Sequence, residues 1–203
     1  MGLVIGLTGS IATGKSTVSR MFKEFHIPVV DADVISREVV EKDKPAYKQI
    51  VDYFGEQVLN DDLTLNRQQL GSLVFKDKKM RAKLNEIVHP EVRKQMLKQR
   101  DGFLNKGEEA VVLDIPLLFE SRLTHFVDKT LVIYVDKETQ LKRLMKRDGS
   151  TREEALNRIR SQLSIEEKAE KADKVIDNSQ TVESSFEQLK KILTEWKVVI
   201  KPD

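Results

Sequence analysis

The chain has 203 residues, 39% of them hydrophobic and 33% charged, and its 35 basic and 33 acidic side chains leave a formal net charge of +2. So even a balance gives no bulk field for gripping nucleic acid or a membrane surface, and neither is expected as a partner. With no cysteine there is no disulfide framework or thiolate metal site, and with no apolar run near the ~18 residues of a membrane span and no basic-then-apolar leader, the expected location is the cytoplasm.

Leu3-Val4-Ile5-Gly6-Leu7 reads as a buried strand, and Gly9-Ser-Ile-Ala-Thr-Gly14-Lys15-Ser16 follows it directly. Behind that segment Val18, Met21, Phe22 and Phe25 recur at helical spacing. Strand, G-x-x-x-x-G-K-[ST] loop and helix together form the context of a triphosphate site. Backbone N–H groups of the loop from Gly9 through Ala12, Thr13, Gly14 and Thr17 are expected to face phosphate oxygens, aided by the helix dipole. Lys15 is expected to reach the β- and γ-phosphates, and the Ser16 hydroxyl to ligate Mg²⁺. A nucleoside triphosphate and Mg²⁺ are therefore the expected ligand and metal.

Four more apolar runs read as strands: Pro28–Asp31, Ala110–Asp114, Thr130–Val135 and Lys174–Asp177. Their β-branched, near-continuous character predicts a parallel sheet of five strands buried by helices on both faces. Between the second and third strands, helices are predicted over Ala46–Phe54, Arg67–Phe75, Lys78–Val88 and Glu91–Leu104. Asn66 and Asp77 are N-cap candidates, and His89-Pro90 would open the last helix. A D-x-x-G at Asp52–Gly55 ends a predicted helix rather than a strand, and no N-K-x-D stretch accompanies it, which excludes a GTPase switch.

From about residue 137 to 171 the chain is dense in charge, with a break at Asp148-Gly149-Ser150 and Thr151 capping the next helix through Glu154. Thr181–Trp196 predicts one amphipathic helix with Val182, Phe186, Leu189, Ile192, Leu193 and Trp196 on its apolar face. Lys197–Ile200 is read as a short final strand. The expected organisation is one P-loop unit: core 1–34, 108–136 and 172–203, a helical substrate lobe over about 35–107, and a mobile lid over about 137–171.

Ligands sit beyond the carboxyl ends of the strands in such a sheet. Asp31-Ala-Asp33 follows strand two, and Asp114 closes strand three. Asp33 is the candidate general base and Asp31 a structural support, with helix capping the competing role for Asp33. Asp114 stands where a Walker B aspartate would hold the metal. Arg143 and Arg147, four apart on one helix, could clamp phosphate oxygens. His89 is equally readable as a helix-start residue or a substrate contact, and Asn178 is a candidate neighbour of adenine. No His/Asp/Glu spacing suggests zinc.

These segments, taken together, resemble the dephospho-coenzyme A kinase family. The matching residues are Gly6-Leu-Thr-Gly9 with Gly14-Lys15-Ser16-Thr17-Val18, Asp31-Ala-Asp33, His89-Pro90 and Asp114-Ile-Pro-Leu-Leu-Phe-Glu120. Arg143 with Arg147-Asp148-Gly149, Arg158 with Gln162, and Ala172–Asn178 extend the match. The resemblance implies ATP-dependent phosphorylation of the ribose 3′-hydroxyl of dephospho-coenzyme A, giving coenzyme A and ADP. It implies Asp33 as the base, residues 12–17 as the ATP-binding stretch, and Asp33, His89 and Leu117 as substrate residues, on a chain expected to act as a monomer. The alternative is another small-molecule or nucleoside monophosphate kinase of the P-loop class. Ser10 and Ala12 stand where many members carry glycine, and Asn66-Arg67 replaces a commoner Asp-Arg.

Overall fold

The computed structural model describes residues 2–199. Five apolar runs form the strands β1 (Leu3–Gly9), β2 (Val29–Asp31), β3 (Ala110–Asp114), β4 (Lys129–Tyr134) and β5 (Lys174–Asp177). They assemble into one sheet in the order β2-β3-β1-β4-β5. Gly6 pairs with Leu113 on one side and with Thr130 on the other, and all ladders from β1 outward to β3, β4 and β5 are parallel. All five residues of β3 are buried, as expected of a strand covered on both faces. With β3 and β4 flanking it, β1 stands at the topological switch point, so the crevice past its carboxyl end is the favoured ligand position.

Helices α1 (Lys15–Glu24) and α9 (Val182–Glu195) cover one apolar surface of this sheet. Val18, Met21 and Phe22 from α1 join Leu189, Ile192 and Leu193 from α9 in a core shared with Ile5, Leu7, Val112, Leu131 and Ile133. Phe25 and Phe186 stack there, with ring centroids 4.9 Å apart. Val182, by contrast, is exposed rather than part of the apolar face, because it sits one residue past the Thr181 cap in the first turn. The expected final strand does not form over residues 197–199. Val198 N–H instead closes back on Leu193 C=O at 3.0 Å, and Val199 N–H bonds the Glu109 carboxylate at 3.1 Å. Ile200 lies outside the described residues.

The chain divides into two compact units, one formed by residues up to Val30 and from Arg100 onward, the other by Asp31–Gln99. The second holds α2 (Ala32–Glu38), α3 (Pro45–Phe54), α4 (Arg67–Lys76) and most of α5 (Lys78–Asn105). Its own core gathers Ala46, Ile50, Phe54, Val58, Leu70 and Ile87. Asn66 caps α4 by accepting from Gln69 N–H at 2.9 Å, and Asp77 accepts from Lys79 N–H at 2.7 Å at the start of α5.

One expectation is overturned here. The two helices predicted on either side of His89-Pro90 are a single 28-residue helix with Pro90 inside it. A proline interior to a helix removes one backbone bond and costs about 3 kcal/mol. Buried apolar residues on both sides, Ile87 before and Met96 after, hold the two halves in line against that cost.

The charged stretch forms α6 (Lys137–Asp148), α7 (Arg152–Arg160) and α8 (Ile165–Lys171). Gly149 ends α6 in the left-handed region, at φ 61°. Thr151 and Glu154 then make a reciprocal capping box for α7, as their spacing predicts.

Candidate functional site

The loop after β1 is built by local chemistry first. Thr13 Oγ1 donates to Ser10 C=O at 2.9 Å, which folds the loop tip back on itself. Gly14 caps α1 with φ 86°, and a Cβ there would lie 2.1 Å from Asn178 Nδ2, so no side chain fits. Gly9 is equally confined, because a Cβ would meet Thr13 Oγ1 at 2.6 Å. Ala12 also sits in the left-handed region, at φ 62°. For an L-residue with a Cβ this costs roughly 1–2 kcal/mol.

Lys15, the first residue of α1, forms an ion pair with Asp114 at the end of β3. Asp114 is almost fully buried, and a buried carboxylate needs such a partner. Ser16 is exposed beside it, and Thr17 N–H bonds Gly14 C=O at 2.9 Å in the first turn. Two strand ends and one helix start thus bring an ammonium, a carboxylate and a hydroxyl to one spot. Leu117, three residues past Asp114, is exposed.

Sequence reading missed what holds this loop. Gln140, on α6 and 1% exposed, donates from Nε2 to Ile11 C=O at 2.8 Å. Gln162, between α7 and α8, accepts from Ile11 N–H at 3.0 Å. Lys168, on α8 and wholly buried, donates to Gly9 C=O at 2.9 Å and to Pro116 C=O at 3.3 Å, and pairs with Glu120 at 2.8 Å. Asn178 Nδ2 donates to Thr13 C=O at 2.8 Å while its Oδ1 accepts from Ser185 at 2.8 Å. Both ends of the Asn178 side chain are therefore committed, one to the loop and the other to α9, rather than turned to a nucleobase. Its position after β5 was the only signal available, and it does not distinguish these roles.

Arg143 and Arg147 share α6 but have different partners. The Arg143 guanidinium donates to Asn178 C=O at 3.0 Å, next to the loop. Arg147 is half-exposed and bonds the neighbouring Asp148 carboxylate at 2.8 Å and 3.2 Å. Arg158 also pairs with Asp148. The Arg147 hydrogen bond, aided by Arg158, holds the Asp148 carboxyl below the usual carboxylate range.

In the unit of residues 31–99, Asp31 caps α2. Its carboxylate accepts from Asp33 N–H at 2.8 Å and Val34 N–H at 3.1 Å. That settles the competition between the two aspartates: Asp31 caps, and the Asp33 side chain is exposed. His89 lines a cavity of about 410 Å³ with Ser36, Arg67, Leu84, Asn85 and Val88. Burial pushes its imidazole pKa down, and the nearby Arg93 charge pushes the same way. His89 is thus neither at a helix start nor a backbone cap; it is a mid-helix side chain facing a cavity.

Comparison with known proteins adds the following. The sequence model of the dephospho-CoA kinase family matches residues 3–184. The chain is 55% identical over 199 residues to a dephospho-CoA kinase of Bacillus cereus, covering 98% of this chain and 100% of that protein. Among solved structures, a Thermus thermophilus protein matches with a TM-score of 0.81 at 34% identity, over 96% of this chain and 97% of its own. The dephospho-CoA kinase from Campylobacter jejuni matches with a TM-score of 0.75 at 32% identity, over 97% and 98%. A match of this extent runs through loop, sheet and helical insertions alike, and the chain belongs to the dephospho-CoA kinase family.

Proposed function

We propose that this chain transfers the γ-phosphoryl group of ATP to the ribose 3′-hydroxyl of dephospho-coenzyme A, releasing coenzyme A and ADP. ATP as co-substrate follows from the kinase family. The observation that carries the reading is the loop from Gly9 to Ser16, with Lys15 and Asp114 paired beside it, in a chain matched end to end by dephospho-CoA kinases.

In this reading the acceptor hydroxyl attacks the γ-phosphorus, the bond to the β-γ bridging oxygen breaks, and the hydroxyl proton passes to the Asp33 carboxylate. Asp33 suits that role because Asp31 has taken the capping bonds. Phosphoryl transfer asks the protein mainly for positioning and charge neutralisation. Loop N–H groups and Lys15 serve the phosphates, and Arg143 stands on the adjoining helix. The acceptor is assigned to the cavity lined by Arg67 and His89, whose mixed apolar and polar wall suits a long, partly apolar molecule.

The Ser16 hydroxyl and Asp114 carboxylate are hard oxygen donors of the kind Mg²⁺ takes, and such sites need only one or two protein oxygens beside the phosphates. Among the described residues no group of three His, Cys, Asp or Glu could hold a metal ion by itself. When bound, Mg²⁺ neutralises charge on the β- and γ-oxygens. The reading takes the chain as a cytoplasmic monomer, since residues for both substrates are assigned on one chain. Among the described residues no helix is long and apolar enough to cross a membrane.

The test is ADP release from Mg-ATP with and without dephospho-coenzyme A, with the product weighed by mass spectrometry. Acceptor-dependent ADP and one phosphate added at the 3′ position are expected. ADP release independent of the acceptor, or a phosphate elsewhere, refutes the reading.

A further inference from the structure

The residue Ile11 lies at the tip of the phosphate loop and is held on both sides by side chains from outside it. Its N–H belongs to the Ser10–Ile11 peptide and donates to Gln162 Oε1 at 3.0 Å. Its C=O belongs to the Ile11–Ala12 peptide and accepts from Gln140 Nε2 at 2.8 Å. Two consecutive peptide planes are thereby fixed in rotation. The second matters most for the chemistry. In a trans peptide the N–H points opposite to the C=O, and no cis peptide occurs here among the described residues. Tying Ile11 C=O to Gln140 therefore turns Ala12 N–H away from α6. Ala12 itself is left-handed without being glycine. A strained residue of this kind persists only where its surroundings over-determine it, and the two glutamines supply that determination.

We infer that Gln140 and Gln162 are positioning residues for the phosphate loop, orienting its N–H donors toward the triphosphate while touching neither substrate. This rests on the ATP-kinase reading above. Each glutamine uses the end its role requires: Gln140 its donor, Gln162 its acceptor. Gln140 has almost no solvent exposure, so its amide cannot be explained as a surface group. A burial of that degree is tolerated because the amide is hydrogen-bonded. Behind the pair lies a cavity of about 350 Å³ walled by Leu156, Ile159 and Ile165. A methionine in place of either glutamine therefore has room, and the exchange removes the hydrogen bond without overpacking.

The experiment uses the full chain with Gln140→Met and Gln162→Met, singly and together. Steady-state KM is measured for ATP and for dephospho-coenzyme A, and ATP affinity by direct titration. Each single variant is expected to weaken ATP about tenfold, the order of one net hydrogen bond, while KM for the acceptor stays within about twofold. Because both act on Ile11, the double variant should fall short of the product of the singles. An unchanged ATP affinity with only a lower melting temperature would mean a structural role and overturn the inference, as would equal losses for both substrates. If Gln140→Met does not fold, the half-buried Gln162→Met decides the matter by the same criteria. The two proposals fail separately. A wild-type chain that binds ATP but makes no acceptor-dependent ADP refutes the function, and the ATP titrations of the variants still judge the glutamines.

Discussion

Asp31 and Asp33 leave the same strand two residues apart, and hydrogen bonding divides their work. A carboxylate that accepts two backbone N–H groups at a helix start is stabilised there as a charge, and Asp31 has taken that place. Asp33 is left exposed, with the freedom a base needs. Replacing Asp33 by Asn keeps shape and polarity but removes proton acceptance. The expected result is a fall in kcat of about 10²–10⁴-fold, with ATP affinity held within a few-fold because a base acts in the transition state. Steady-state kinetics beside an ATP titration check this; collapse of ATP binding in Asp33→Asn would show that Asp33 supports the fold instead. The D-A-D spacing made both residues legible in the sequence. Which of them caps was not legible, because either carboxylate can reach the first-turn N–H groups and only the backbone path past β2 selects one.

Elements whose signal is local were readily legible before the fold was known. Runs such as Val111-Val112-Leu113 and Leu131-Val132-Ile133 became strands because β-branched and apolar residues fit a sheet covered on both faces. The helix α5 shows where local rules lose. Pro90 argued for a break, yet Ile87 and Met96 are buried on one continuous helix. The error moved His89 from a helix end to a cavity wall. Burial and the Arg93 charge favour the neutral imidazole in the folded chain, so its pKa lies below the ordinary 6.5. The unfolded chain then binds the proton more readily, and stability rises with pH through the window below 6.5. Denaturant midpoints from about pH 8 to about pH 5 should therefore fall with acidification in the native chain. In His89→Gln the fall should be shallower, and an equal slope in both proteins would remove His89 as its cause.

At the scale of the molecule, the contacts that fix the phosphate loop join residues 129, 151 and 159 positions apart: Gln140 and Gln162 with Ile11, and Lys168 with Gly9. No periodicity or spacing encodes such pairs, so the sequence showed none of the polar side chains by which the charged segment reaches the loop. Lys168 is the deepest of these anchors. Its ammonium ties the end of β1, through Gly9 C=O, to the turn after β3, through Pro116 C=O, and neutralises Glu120. Thr8 Oγ1 donates to the same Pro116 carbonyl at 3.0 Å, so both strand ends meet at one oxygen. A buried ion pair adds little net stability, because desolvation offsets attraction, but removing one partner strands the other charge at about 3–5 kcal/mol. Lys168→Met should therefore destabilise the chain by about that much. Lys168→Met with Glu120→Gln deletes both charges and should recover a large share of the loss. Urea denaturation of the two variants against the native chain measures the difference. Recovery would mean that the ammonium is needed chiefly because Glu120 is there. Failure of the second change to restore stability would place the energy in the two carbonyl bonds, and so in the join between the strand ends themselves.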